Sequence, residues 1–304
     1  MSHCRSLFVW SFALLEEGQN MLSSAGNHTV AVVKGPENYD TLKNGLQNVC
    51  EAVNELIDQG YVIVDGKKIN LHFHLRGDYK FLLVALGMKG ATSNNLCIWC
   101  LVHKKDRRNM SEEYSHYSCE RMKRKFGPNW HKQPGCQHQP LLNITPDNKV
   151  IDELHLMLRI TDRLEQGLIL EVIDWDEAEN KGKPAAKRSQ AHLDALLTIV
   201  RSLGVSLNVW KGKESKKYEW TSLLGNEKRT LLRKLPESFD KILPAERVAT
   251  VKRLWTGFRE VLDIANRLNP TDKDIDNLQE KAKKWAQLMV NMVTSWRISI
   301  DSSY

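Results

Sequence analysis

Long apolar runs are missing from this chain: no stretch of its 304 residues approaches the roughly 18 consecutive apolar positions that a membrane-spanning helix requires. Internal repeats and low-complexity tracts are also missing. Cysteine is sparse, with six in all. That number permits three disulfides by arithmetic, but the chain is far larger than the small secreted scaffolds that need them, so the thiols are read as reduced. No common zinc-finger spacing is present, and no thioredoxin-like βαβ pattern surrounds the one CxxC pair.

In bulk the remaining composition is ordinary, and in detail it is uneven. A hydrophobic fraction of 41% with 27% charged residues predicts one to two packed units. The net charge of +7 is concentrated: residues 101 to 133 carry nine Lys/Arg against four acids and supply +5 of it. Such a local excess suits a phosphate backbone, and a solvated basic loop has the same composition.

Along the chain, Ser6 to Leu15 and Thr29 to Val33 read as strands by length and β-branched content. Arg5 followed by Leu7 to Leu15, with Ser23-Ser24-Ala25 beyond, resembles a signal-peptide core. Glu16 and Glu17 directly after the apolar run favour a buried strand instead. Leu42, Leu46, Val49, Val53, Leu56 and Ile57 recur at helical spacing and predict one amphipathic helix over Tyr39 to Gln59, closed by Gly60. Asp65-Gly66 turns the chain into an expected strand from Lys68 to Leu75. Periodicity fades between Leu101 and Pro140. Beyond Asp152 helical stripes return at Leu154 to Ile169, His192 to Leu203, Val248 to Leu262 with Pro244 just inside its start, and Leu278 to Trp296. The expected organisation is α+β: a core over 1–96, an irregular CxxC and basic segment over 97–150, and a helical domain over 151–304.

Asp78 comes after the expected strand through Arg76-Gly77. A carboxylate there is either a turn residue or N-cap of the next helix, or a ligand for Mg2+ or Mn2+, and a hard cation needs several oxygens beyond one aspartate. Cys97-Ile98-Trp99-Cys100 can place two thiolates along one tetrahedral edge, suiting Zn2+, or can pack beside Trp99 in a small core. His103, His116, Cys119, His131, Cys136 and His138 are nearby candidates for the missing ligands. His72 and His74 alternate along the expected strand and share a face. Asp152-Glu153-Leu154-His155 opens a helix and reads as capping and dipole compensation. The tryptophans at 210, 220, 255, 285 and 296 fall mainly on helical stripes and read as core.

In the order of these elements the chain resembles the catalytic core of the recombination-activating recombinase of antigen-receptor gene assembly and its Transib-type transposase relatives. The Phe8 to Phe12 and Val30 to Val33 strands, the entry Glu37 to Leu42, the His72 to Leu75 strand before Asp78, and Cys97-Ile98-Trp99-Cys100 follow the family's order. Leu142 to Pro146, Ile151 to His155 and Leu243 to Arg247 resemble its helical insertion. The resemblance implies an RNase H-like fold, two-metal Asp, Asp, Glu chemistry on DNA, a nuclear location and a homodimer. It makes Asp78 the second catalytic aspartate and Cys97 and Cys100 two zinc ligands. The other carboxylates and the zinc-binding histidine pair would fall before Ser6 and beyond Tyr304, so the resemblance implies a fragment that does not cleave DNA alone. A non-enzymatic zinc-dependent DNA- or protein-binding module is the competing expectation.

Overall fold

The computed structural model describes residues 7–90, 92–126, 129–214 and 217–296, and it is mixed α and β. The chain divides into two compact units, the first running to Asp152 and the second beginning at Glu153.

The first unit opens with an antiparallel pair, β1 (Leu7–Phe12) and β2 (His28–Lys34), in which Phe8 faces Val33 and Trp10 faces Ala31. Alternation decides which face is buried. Phe8, Trp10, Ala31 and Val33 pack into the core, while Leu7 and Val9 stay 63% and 64% exposed on the other face. The expected buried strand is therefore buried on one side only. Two helices come next, α1 (Tyr39–Gly45) and α2 (Gln47–Gln59), where sequence periodicity gives one. The break falls at Leu46, which leaves the helical region at φ −119°, and the residue before it must be small, because a Cβ on Gly45 would lie 2.6 Å from Val33 Cγ1. Asn38 caps α1 through a 2.9 Å bond from the Thr41 N–H, and Gly60 ends α2 in the left-handed conformation that glycine adopts without penalty.

The expected Lys68 to Leu75 strand is split between two sheets. Asp65 and Gly66, both at positive φ, close a tight hairpin of β3 (Tyr61–Val64) and β4 (Lys67–Asn70). The chain then runs from Leu71 to His74 outside any ladder before β5 (Leu75–Gly77) and helix α3 (Tyr79–Ala85). His72 and His74 are exposed on that connection. Irregular backbone with one short α-helix, α4 (Tyr114–Ser118), and three single 3-10 turns leads to β6 (Lys149–Ile151), which pairs in parallel with β5. Three residues carry no readable period, so this strand is invisible in the sequence. Leu42, Leu46, Leu82, Leu86 and Ile98 are wholly buried at the centre of this unit. Each such side chain stabilises the fold by roughly 1.5–3 kcal/mol through burial.

The second unit is helical. α5 (Glu153–Glu179), α6 (Ala191–Ser202), α7 (Gly225–Lys234), α8 (Ala245–Ala265) and α9 (Asp272–Ser295) enclose one core, with a hairpin of β7 (Val209–Lys211) and β8 (Tyr218–Trp220) inserted before α7. Pro244 caps α8 from outside rather than sitting within it. Trp255, Phe239 and Phe258 are buried beside Leu164, Leu168 and Val172. Trp285 lies tilted against Phe258, with ring centroids 5.1 Å apart, and donates its indole N–H to the Leu254 carbonyl at 2.9 Å. Trp296 lies against Gly167, where any Cβ would fall 2.1 Å from its ring, and bonds Glu171 at 2.5 Å. Trp210 and Trp220 lie on the hairpin, and Trp210 is 46% exposed, so the reading of these two as core on a helical stripe is corrected: the run from Val209 to Trp220 is mostly polar between its ends and shows no apolar 3.6-residue period. No helix of the described residues is long and apolar enough to cross a membrane.

Candidate metal and nucleic-acid site

Asp78 leaves the C-terminal end of β5 half-buried, and its carboxylate accepts the Phe81 N–H at 2.7 Å. That bond makes it the N-cap of α3 and satisfies one of the helix's otherwise unpaired amides. Because Gly77 and Ile151 are partners across the parallel ladder, the next residues, Asp78 and Asp152, end neighbouring strands. The Asp152 N–H donates to the Gly77 carbonyl at 2.9 Å, and its carboxylate accepts Arg76 Nη2 at 2.9 Å. Two acids at the carboxyl end of a parallel pair are not legible in the sequence, where the second reads only as helix capping. The strand pairing is what makes them neighbours.

The cysteine turn is better defined. The Cys100 N–H donates to Cys97 Sγ at 3.4 Å. The Cys97 thiol is pulled down to about 6, first by the Cys100 thiol donating to it, then by the Trp99 and Cys100 amides and the Arg124 charge. Cys100, buried and acting as that donor, is raised. Arg124 organises the turn. Its guanidinium is wholly buried and donates to the carbonyls of Cys97 at 2.7 Å, Pro134 at 2.7 Å, Asn95 at 3.0 Å and Cys100 at 3.4 Å, with Cys136 Sγ 3.8 Å away. A second buried cation, Lys149, sits over the Phe126 ring at 3.7 Å, and its Nζ has no hydrogen-bond partner among the described residues. Burial first, and Arg124 second, lower its amine to about 7.

Three of the other expected ligands have partners of their own. His103 accepts the Lys105 N–H at 3.2 Å, Cys119 donates to the His116 carbonyl at 3.0 Å, and His138 stacks on Tyr39 at 4.2 Å. Among the described residues no three His, Cys, Asp or Glu side chains converge on a point that could hold a metal ion. Asp78 therefore does not by itself fit Mg2+ or Mn2+, and Cys97 with Cys100 fill only half of a tetrahedral Zn2+ site. The five described cysteines, at 50, 97, 100, 119 and 136, are all free thiols.

Structure also refines the basic segment. Arg124 is buried, Lys123 pairs with Asp147 at 2.5 Å, Lys125 pairs with Glu120, and Arg107 donates to the Ser93 carbonyl at 3.0 Å. Lys104, Lys105, Arg108, Arg121 and Lys132 remain exposed, with no ion pair among the described residues. Nothing in the linear sequence separates Arg124 from these surface cations. Compared with models of known protein families and with curated protein sequences, the chain matches none.

Proposed function

We propose that this protein is a DNA-binding module built on a recombinase- or transposase-like, RNase H-type core, and that taken alone it does not cut DNA. The observation that carries the reading is the strand arrangement of the first unit. An antiparallel pair, β1 with β2, and a parallel pair, β5 with β6, contribute to one hydrophobic core, and among the described residues β1 and β5 each have a single strand neighbour. An RNase H-type core likewise combines antiparallel and parallel strand neighbours. Asp78, at the end of β5, then occupies the place of the second acid of the family's triad, and Cys97 with Cys100 the place of its first zinc ligands. Neither set is complete among the described residues.

DNA contact rests on the five unpaired cations of the 104–132 stretch. Each phosphate neutralised contributes about 0.9 to the slope of log affinity against log salt. Binding of a fluorescein-labelled duplex, followed by anisotropy between 50 and 200 mM KCl (about the range over which phosphate contacts are resolved), should show a slope of several. Lys104→Glu with Lys105→Glu and Arg108→Glu should weaken it at least tenfold, while Asp78→Asn leaves it unchanged. Absence of binding by the unaltered chain would overturn the proposal. A homodimer belongs to the same reading and is checked by sedimentation equilibrium.

A non-enzymatic module that also uses the cysteine turn for Zn2+ is the second reading, favoured by the two backbone amides and the buried Arg124 that preform that turn. Zinc at one equivalent per chain by elemental analysis supports it, and metal-free folded protein removes it.

A further inference from the structure

We infer that a second phosphate-binding point lies in the helical unit, in the cleft between α7, the end of α8 and the start of α5, and that its ligand is a single phosphodiester of a polynucleotide. Arg229 and Arg233 stand one turn apart on α7, and Arg259 reaches in from α8, donating to the Arg233 carbonyl at 3.4 Å. None of the three guanidinium groups has an ion pair among the described residues, although all line the same concavity. Three like charges that outnumber the acids around them repel one another, and an anion seated among them relieves that repulsion. Planar guanidinium groups suit the purpose, because each can present two parallel N–H donors to phosphate oxygens.

Two further features fix the class of anion. Glu153 and Asp263 also line the cleft, and Glu153 has an interaction of its own. Three cations against two carboxylates leave a charge of +1, which matches the one negative charge of a phosphodiester and disfavours a phosphomonoester dianion. The cleft has a volume of about 50 Å3. Small-molecule sites usually occupy roughly 300–1,000 Å3, so this one admits an oxyanion and not a nucleotide base or a cofactor. A Leu232 wall beside the arginines lowers the local dielectric and strengthens each contact.

The inference rests on the DNA-binding reading and extends it to a site that the basic segment does not include. Its test uses the full chain and the same labelled duplex. Arg229→Ala with Arg233→Ala should weaken binding about fivefold and reduce the salt slope by about 1, the contribution of one phosphate. Arg229→Lys with Arg233→Lys keeps the charge and should restore the slope while recovering only part of the affinity. Asp263→Asn removes an opposing carboxylate and should tighten binding about threefold, a gain that damaged folding cannot produce. Unchanged affinity and slope in the double alanine variant, with binding still lost on charge reversal at Lys104, Lys105 and Arg108, overturns this site and leaves the DNA-binding reading standing. No binding by the unaltered chain overturns both.

Discussion

The two units hold themselves together by different means. In the helical unit a continuous apolar interior, with Trp255, Phe239, Phe258 and the α5 leucines at its centre, carries the stability, and its periodicity is written plainly along the chain. In the mixed unit the strands are three to seven residues long, and every sheet has two strands among the described residues. Its irregular segment is tied instead by Arg124, a buried charge that serves four carbonyls. Apolar burial is tolerant of exchange within a volume, whereas a buried guanidinium has no substitute that satisfies the same acceptors.

Substitutions that separate the two modes test this contrast. Trp255→Ala should have the largest effect, destabilising the helical unit by about 4 kcal/mol through the cavity it leaves. Amide hydrogen exchange resolved by segment should show lost protection over α5, α7 and α8. Arg124→Met should cost about 3 kcal/mol, because four carbonyls, one of them buried and the others partly so, lose their donor. Its loss of protection should fall on residues 95–136, and an equal loss across the helical unit would erase the distinction between the two.

Their pH responses should run in opposite directions. Glu165, buried in α5 with one carboxylate oxygen unpartnered, is raised from 4.5 to about 8, mainly by burial. The native helical unit therefore holds a proton that the unfolded chain has lost, and its stability falls as pH rises from 4.5 to about 8. Lys149 is lowered from 10.5 to about 7, so the unfolded chain binds the extra proton and the mixed unit gains stability as pH rises from about 7 to 10.5. Each effect is on the order of a few kcal/mol. Glu165→Gln and Lys149→Met should flatten the two trends separately in exchange experiments corrected for intrinsic rates. The smallest effect belongs to Asp78→Ala, which removes the cap of α3 and should cost about 1 kcal/mol, with Asp78→Asn nearly neutral because asparagine caps as well.

Legibility in the sequence divides along the same line. Helices α5, α6, α8 and α9 lie on stripes long enough to show a 3.6-residue period, and glycine marks the closing of α2 at Gly60. The break at Leu46 is hidden, since the apolar spacing runs through it, and the close packing of Gly45 on Val33 of β2 joins distant parts of the chain. Lys68 to Leu75 looks continuous because apolar alternation does not report which partner a strand pairs with. For the candidate site, the cysteine turn and the Asp78 position are visible in spacing alone. The Asp152 neighbour, the Arg124 tie and the Arg229, Arg233 and Arg259 cleft are not, because each joins residues from separate parts of the chain.

The claim on which the function depends is that exposed cations of the first unit meet a phosphate backbone. Anisotropy of a labelled duplex titrated with the unaltered chain and with the Lys104, Lys105 and Arg108 charge-reversal variant measures it directly. Salt-sensitive binding that weakens at least tenfold in the variant is the expected result; equal affinity in both proteins, or none in either, contradicts the account.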